Sequence, residues 1–184
     1  MQKNRPSKII AINPGWRYLG IVIFDGSGLR EWRLKSMPGN DMKVKIEKVS
    51  KILSNFIERY APDILAIKKL HPSKSSPNLR IMASRIEAAC RKKRMRVCFY
   101  SIKELESAIS PGCRINKKEL AELLVSEYPV LSRELEREKR SRNPYHRRLF
   151  EAVALGHICF RKFLISNCRQ ADEGDYFISK SNKT

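Results

Sequence analysis

Apolar and polar positions along the chain alternate in a regular succession. "KIIAIN" (8–13) and "YLGIVIFD" (18–25) are rich in β-branched and apolar residues, with "PGWR" turning between them; "DGSG" then separates the second run from "LREWRLKS" (29–36). This pattern predicts three strands in an antiparallel meander. After the break "MPGNDM", Val44, Ile46, Val49, Ile52, Leu53, Phe56 and Ile57 recur at helical spacing, which predicts a helix over 41–60 with its polar face outward. "DILAIKKL" (63–70) is a short apolar run of the kind that forms buried parallel strands. A polar loop, "HPSKSSPN", leads to a helical stripe of Leu79, Met82, Ile86, Ala89 and Cys90, and "MRVCFYS" (95–101) is the next strand. Strand, helix, strand, helix and strand after a meander give an α/β fold with a mixed central sheet flanked by helices.

Further helices are expected at "SIKELESAI" (101–109) and at "NKKELAELLVSEYP" (116–129), the latter with Asn116 as N-cap. "SRELEREKRSRNPYHRR" has no apolar stripe and is read as an exposed, mobile stretch. "RRLFEAVALGHICFRKFLI" carries an apolar face long enough to cover a sheet. The domain is therefore placed at 8–165, between a basic extension (1–7) and a polar tail (166–184) expected to be disordered.

The 184 residues suffice for one domain with a real core, and they carry a formal net charge of +19. That excess exceeds what solubility requires and points to a polyanionic partner, bound by neutralising phosphates and releasing counterions. No apolar stretch reaches the ~18 residues of a membrane span, and "MQKNRPSK" is followed by too short an apolar run for a signal peptide. A cytoplasmic protein without membrane partners is expected. Cys90, Cys98, Cys113, Cys159 and Cys168 include no C-x-x-C pair and read as reduced, partly buried thiols, with no zinc spacing.

Four segments in sequence resemble the RuvC Holliday junction resolvases, which have the RNase H-like fold. "IIAINPGWRYLGIVIFDG" resembles their opening strand pair, where an Asp precedes Pro-Gly. "PDILAIKKLH" is similar to the segment with a Glu at the position of Lys68 and an aromatic at that of His71. "VCFYSIKELESAISPGCRINKKELAELL" resembles the strand, helix and basic Gly-containing loop that follow. "HRRLFEAVALGHI" resembles the final helix with its two acidic residues spaced three apart. The resemblance implies a five-stranded sheet, a homodimer, and four carboxylates holding two Mg²⁺ ions that activate water. Two rival readings of the first motif fail. Sugar-kinase and actin-like ATPases need a second lobe that this length does not supply, and "NPGWRYLG" lacks the spacing G-x-G-x-x-G.

Carried over residue by residue, the four carboxylate positions are Asn13, Lys68, Arg148 and Glu151. One acid remains, and the set is net positive where the family's is fourfold negative. Hard divalent cations need anionic oxygen ligands. An ammonium about 4 Å from a divalent ion repels it by about 8 kcal/mol at an effective dielectric near 20. Two-metal hydrolysis is therefore not expected, and no cofactor is. His146 replaces Arg148 if the last helix is shifted in register, though Mg²⁺ disfavours imidazole. Asp25, Asp63 and His157 are the remaining candidates for a new site, and each has an ordinary structural reading.

Basic residues gather at the same edge: Lys68, Lys69 and Lys74 with His71, then Arg114, Lys117 and Lys118, then Arg147 and Arg148. Their convergence favours phosphate contact, and His71 is placed to stack on or hydrogen-bond a nucleotide. A separate run, Arg91–Arg94 with Arg96, is read as serving another face or a partner. The expected function is binding of branched or structured nucleic acid, DNA above all, without cleavage. The alternatives are an active resolvase-like endonuclease with rearranged ligands, using Mg²⁺, and a non-catalytic basic scaffold in a nucleoprotein complex, which the charged stretch 133–148 favours.

Overall fold

The computed structural model describes residues 7–141 and 147–178, with side chains to residue 163. Five strands form one sheet: β1 (Lys8–Asn13), β2 (Tyr18–Asp25), β3 (Gly28–Ser36), β4 (Ile64–Lys68) and β5 (Arg96–Tyr100). Their order is β3-β2-β1-β4-β5. β1, β2 and β3 pair antiparallel, as a meander must, while β4 lies parallel to β1 and β5 parallel to β4. The helices that make those parallel crossovers possible are α1 (Met42–Tyr60) and α2 (Pro77–Lys92). Asp41 caps α1 by accepting from the Lys43 and Val44 amides, and Ser76 caps α2.

The two-residue period of the strands divides the core in two. Ile10 and Ile12 of β1, with Leu65 and Ile67 of β4, face α1 and α2. Ile9 and Ala11, with Ile64 and Ala66, face the opposite side, which is covered by α6 (Arg147–Ile178). Outside α6 lie α3 (Ile102–Ile109) and α4 (Lys117–Glu127), both closed by capping boxes, at Ser101 and Asn116. Covered on both sides, α6 is buried at every position from 149 to 159. Two glycines set its approach: a Cβ on Gly20 of β2 would strike the carbonyl of Arg148, and one on Gly156 would strike the Phe24 ring.

Three differences from the sequence reading have physical causes. The stretch expected to be mobile contains a helix, α5 (Ser132–Arg140), entered through a 3₁₀ turn at Pro129–Leu131. Its pattern is almost wholly polar, but Leu131 and Leu135 pack on the core and the Glu138 carboxylate accepts from Arg147 at 2.9 Å. The α6 backbone runs on to Ile178 through a segment free of proline, so the expected boundary at Ser166 does not break the helix. The polar face of α1 was expected to point outward, yet Lys45 is buried (1% exposed). Its ammonium donates to the carbonyls of Trp16, at 2.7 Å, and of Met37, and lies 4.5 Å from the centre of the Trp16 ring.

Candidate nucleic-acid interface at the strand ends

Asn13 ends β1 and Lys68 ends β4, and both share the strand parity of the residues that face α6. Ile12 pairs in register with Ile67, so the two lie side by side at the carboxyl ends of parallel strands, the usual place for a ligand in α/β sheets. Arg148 and Glu151 sit one helical turn apart at the start of α6. All four positions carried over from the sequence resemblance therefore meet. His146 lies outside the described residues; Arg148 itself lines the cavity.

Glu151 is the centre of the arrangement, with 3% of it exposed. One carboxylate oxygen, Oε2, accepts from the Lys68 ammonium at 2.7 Å and from the Asn13 side-chain amide at 2.8 Å. The other, Oε1, lies 2.8 Å from the Lys117 ammonium. Burial pushes the Glu151 carboxyl upward, but the charges and hydrogen bonds of Lys68 and Lys117 outweigh it and hold the group below the usual carboxylate range. The Asn13 amide also donates to the carbonyl of Arg148 at 3.3 Å, while its own Oδ1 is buried with no partner among the described residues. The Arg148 guanidinium reaches back to the carbonyl of Pro14 at 3.2 Å.

A cavity of about 190 Å³ opens over this group, lined by Lys68, Lys117, Arg147, Arg148 and Glu151. Four cations and one carboxylate make it strongly positive. Such a donor set does not fit Mg²⁺. The remaining carboxylate has both oxygens committed to ammonium groups, and an ion placed beside it would meet Lys68 at close range. Among the described residues, no three His, Cys, Asp or Glu side chains gather as metal ligands would.

The other candidates divide clearly. Lys69, His71 and Lys74 follow β4 into an exposed loop at this end of the sheet, and Arg114 and Lys118 flank Asn116 at the exposed start of α4. None of the five lines the cavity. The His71 ring is engaged in its own loop, with Nδ1 accepting from the amides of Ser73 and Lys74 at 3.2 and 3.3 Å. Arg96 opens β5 and so lies at the far end of the sheet, with the run 91–94 before it. Asp25 pairs with Arg30 at 3.9 Å, and Asp63 accepts from the amide of Lys8. His157 is buried with Nδ1 2.7 Å from the Tyr128 hydroxyl. All three have the structural roles their positions suggested. Lys117 was expected to face a nucleic acid; its bond to Glu151 had no signal in the sequence, because α4 and α6 meet only in the fold.

No protein-family model matches the sequence, and no curated protein matches it. Solved structures do match in shape. Thermus thermophilus RuvC in complex with a Holliday junction substrate superposes with a TM-score of 0.65 at 14% identity, over 86% of this chain and 96% of that one. The yeast mitochondrial Holliday junction resolvase gives 0.61 at 8% identity, over 90% and 85%. The fowlpox virus resolvase, solved with substrate Holliday junction DNA, gives 0.53 at 15% identity, over 84% and 99%. With the strand order, the crossing of α6 and the meeting of Asn13, Lys68, Arg148 and Glu151, these likenesses identify the architecture: the chain has the RNase H-like fold in the form taken by RuvC and other Holliday junction resolvases.

Proposed function

We propose that this protein binds branched or otherwise structured nucleic acid, DNA in the first place, and does not cut it. The observation that carries this reading is the Glu151 carboxylate shared between Lys68 and Lys117. Where the resembled family needs anions for metal ions, this chain presents fixed positive charge at the base of a basic cavity. Fixed ammonium and guanidinium groups hold phosphates without activating water. Support comes also from the net charge of +19 and from neighbours of the same fold solved with Holliday junctions. The proposal extends to a homodimer that sets two such cavities against one junction, acting in the cytoplasm. No helix among the described residues is long and apolar enough to cross a membrane.

One observation favours the rival endonuclease: among the described residues Asn13 Oδ1 is a buried acceptor without a donor, as a cation ligand would be. The experiment that separates the two is incubation with a synthetic four-way junction and a linear duplex of equal length, with Mg²⁺ or Mn²⁺. The expected outcome is a gel shift stronger for the junction, weakened steeply by salt, and no cleavage. Metal-dependent strand scission overturns the proposal in favour of the nuclease. Absence of any shift overturns it altogether.

A further inference from the structure

Away from this edge, two cysteines from different elements meet. Cys98, on β5, pairs in register with Ala66 of β4, so it faces α6, and Cys159 is a buried residue of α6. The two lie together where β5 packs against α6. Both line a cavity of about 190 Å³ at the sheet edge, together with Arg96, Tyr100 and Lys162. Cys98 is half-buried and lines this open cavity, which a small reagent can enter.

The surroundings give the two thiols different tasks. The neighbouring Cys159 thiol holds Cys98 below the ordinary thiol range, against the effect of burial and with help from Arg96 and Tyr100. The nearness of Cys98 and its own burial push Cys159 up. Cys98 is the more acidic of the two and the one that supplies a thiolate. The other described cysteines lack this pairing. Cys90 is buried and pushed up to about 12 by burial, and Cys113 is exposed.

We propose that Cys98 and Cys159 form a dithiol oxidised by hydroperoxides and closed by a disulfide between β5 and α6. The Cys98 thiolate attacks the peroxide's terminal oxygen. An S–O bond forms, the O–O bond breaks, and the departing alkoxide or hydroxide takes a proton from water. Cys98 is then a sulfenic acid. The Cys159 sulfur attacks it, the S–S bond forms, the S–O bond breaks, and the hydroxyl leaves as water with the proton Cys159 gives up. In sum two thiols lose two electrons and two protons, and the hydroperoxide is reduced to an alcohol, or to water, with a further water.

The test is titration of the full chain, freshly reduced, with hydrogen peroxide, followed by blocking of thiols and non-reducing peptide mapping. The expected product is a Cys98–Cys159 linked peptide pair, lighter than the two thiol peptides by two hydrogens, while Cys90 stays a thiol; a dithiol reductant restores both. In Cys159→Ala, Cys98 should stop at the sulfenic acid and be trapped by dimedone. Oxidation of Cys113 while Cys98 remains a thiol overturns the proposal, as does a Cys98 that pairs elsewhere or accumulates as sulfenic acid in the natural chain. The mapping uses the natural protein, so its result stands even if the variant does not fold.

Discussion

Two lysines are taken out of water on opposite faces of the same sheet, and they are held in opposite ways. Lys68, toward α6, meets a buried carboxylate and shares it with Lys117. Lys45, toward α1, meets no carboxylate among the described residues: two backbone carbonyls and an indole face are its partners. Carbonyls satisfy the ammonium's donors but do not cancel its charge, and burial, followed by the repulsion of Lys48 and Arg17, lowers the Lys45 pKa. Lys45 therefore acts as a clamp, joining the turn after β1 to the segment after β3. Lys68 acts as a counterion, and its face of the sheet keeps charge in surplus at a cavity. One arrangement spends a cation on the fold, and the other holds cations where an anion can reach them.

Removing the shared carboxylate should have the largest effect. Glu151→Gln leaves Lys68 against a neutral amide, and a loss of about 3–5 kcal/mol is expected from urea unfolding, as for other buried pairs broken on one side. Glu151 titrates below its ordinary range in the fold, so its contribution is present above the unfolded value and is lost as pH falls through the folded one. Stability measured against pH should fall more steeply in acid for the natural chain than for the variant; parallel curves would mean that the ion pairs add nothing.

Lys45→Met should come next, at about 1–3 kcal/mol, because the carbonyls of Trp16 and Met37 lose their donor while the stem stays packed. The sign with pH is reversed here. The folded pKa is lowered, so the unfolded chain holds more protons between the folded value and that of free lysine, and natural stability rises with pH across that window. The variant should lose this rise. If it is as stable as the natural chain at neutral pH, Lys45 is a tolerated charge and not a clamp. The smallest effect on stability belongs to Lys117→Ala, under about 1 kcal/mol, since the Lys117 side chain is 53% exposed. The same change should weaken a junction gel shift and lower its salt slope by about one phosphate contact. An unchanged slope would separate Lys117 from the proposed interface.

The strands and the parallel crossover were legible because their apolar runs are buried by simple period-two logic, which also turns Asn13 and Lys68 to one side. Lys45 was not legible. It sits between Val44 and Ile46 in a helix whose other lysines are exposed, and its partners are main-chain carbonyls that no side-chain pattern encodes. α5 escaped for a related reason: Leu131 and Leu135 are too few to make a stripe, and a carboxylate bound to Arg147 across the fold helps to hold it. At the site, the positions of Asn13, Lys68, Arg148 and Glu151 could be read from local segments, but the reach of Lys117 depends on how α4 lies over α6.

The close seating of α6 has a consequence for whatever enters the cavity. With the Arg148 carbonyl where a Gly20 methyl would be, helix and sheet touch main chain to main chain, with no flexible side chain as padding. Asn13 and Glu151 thus stand on mounts whose spacing is set by bond lengths rather than by rotamers. Because Glu151 in turn holds Lys68 and Lys117, an anion arriving there would meet two ammonium groups already tethered, and less of its affinity would be consumed in ordering them. A single methyl at residue 20 would forfeit that advantage by prising the helix off the sheet, without touching any charge.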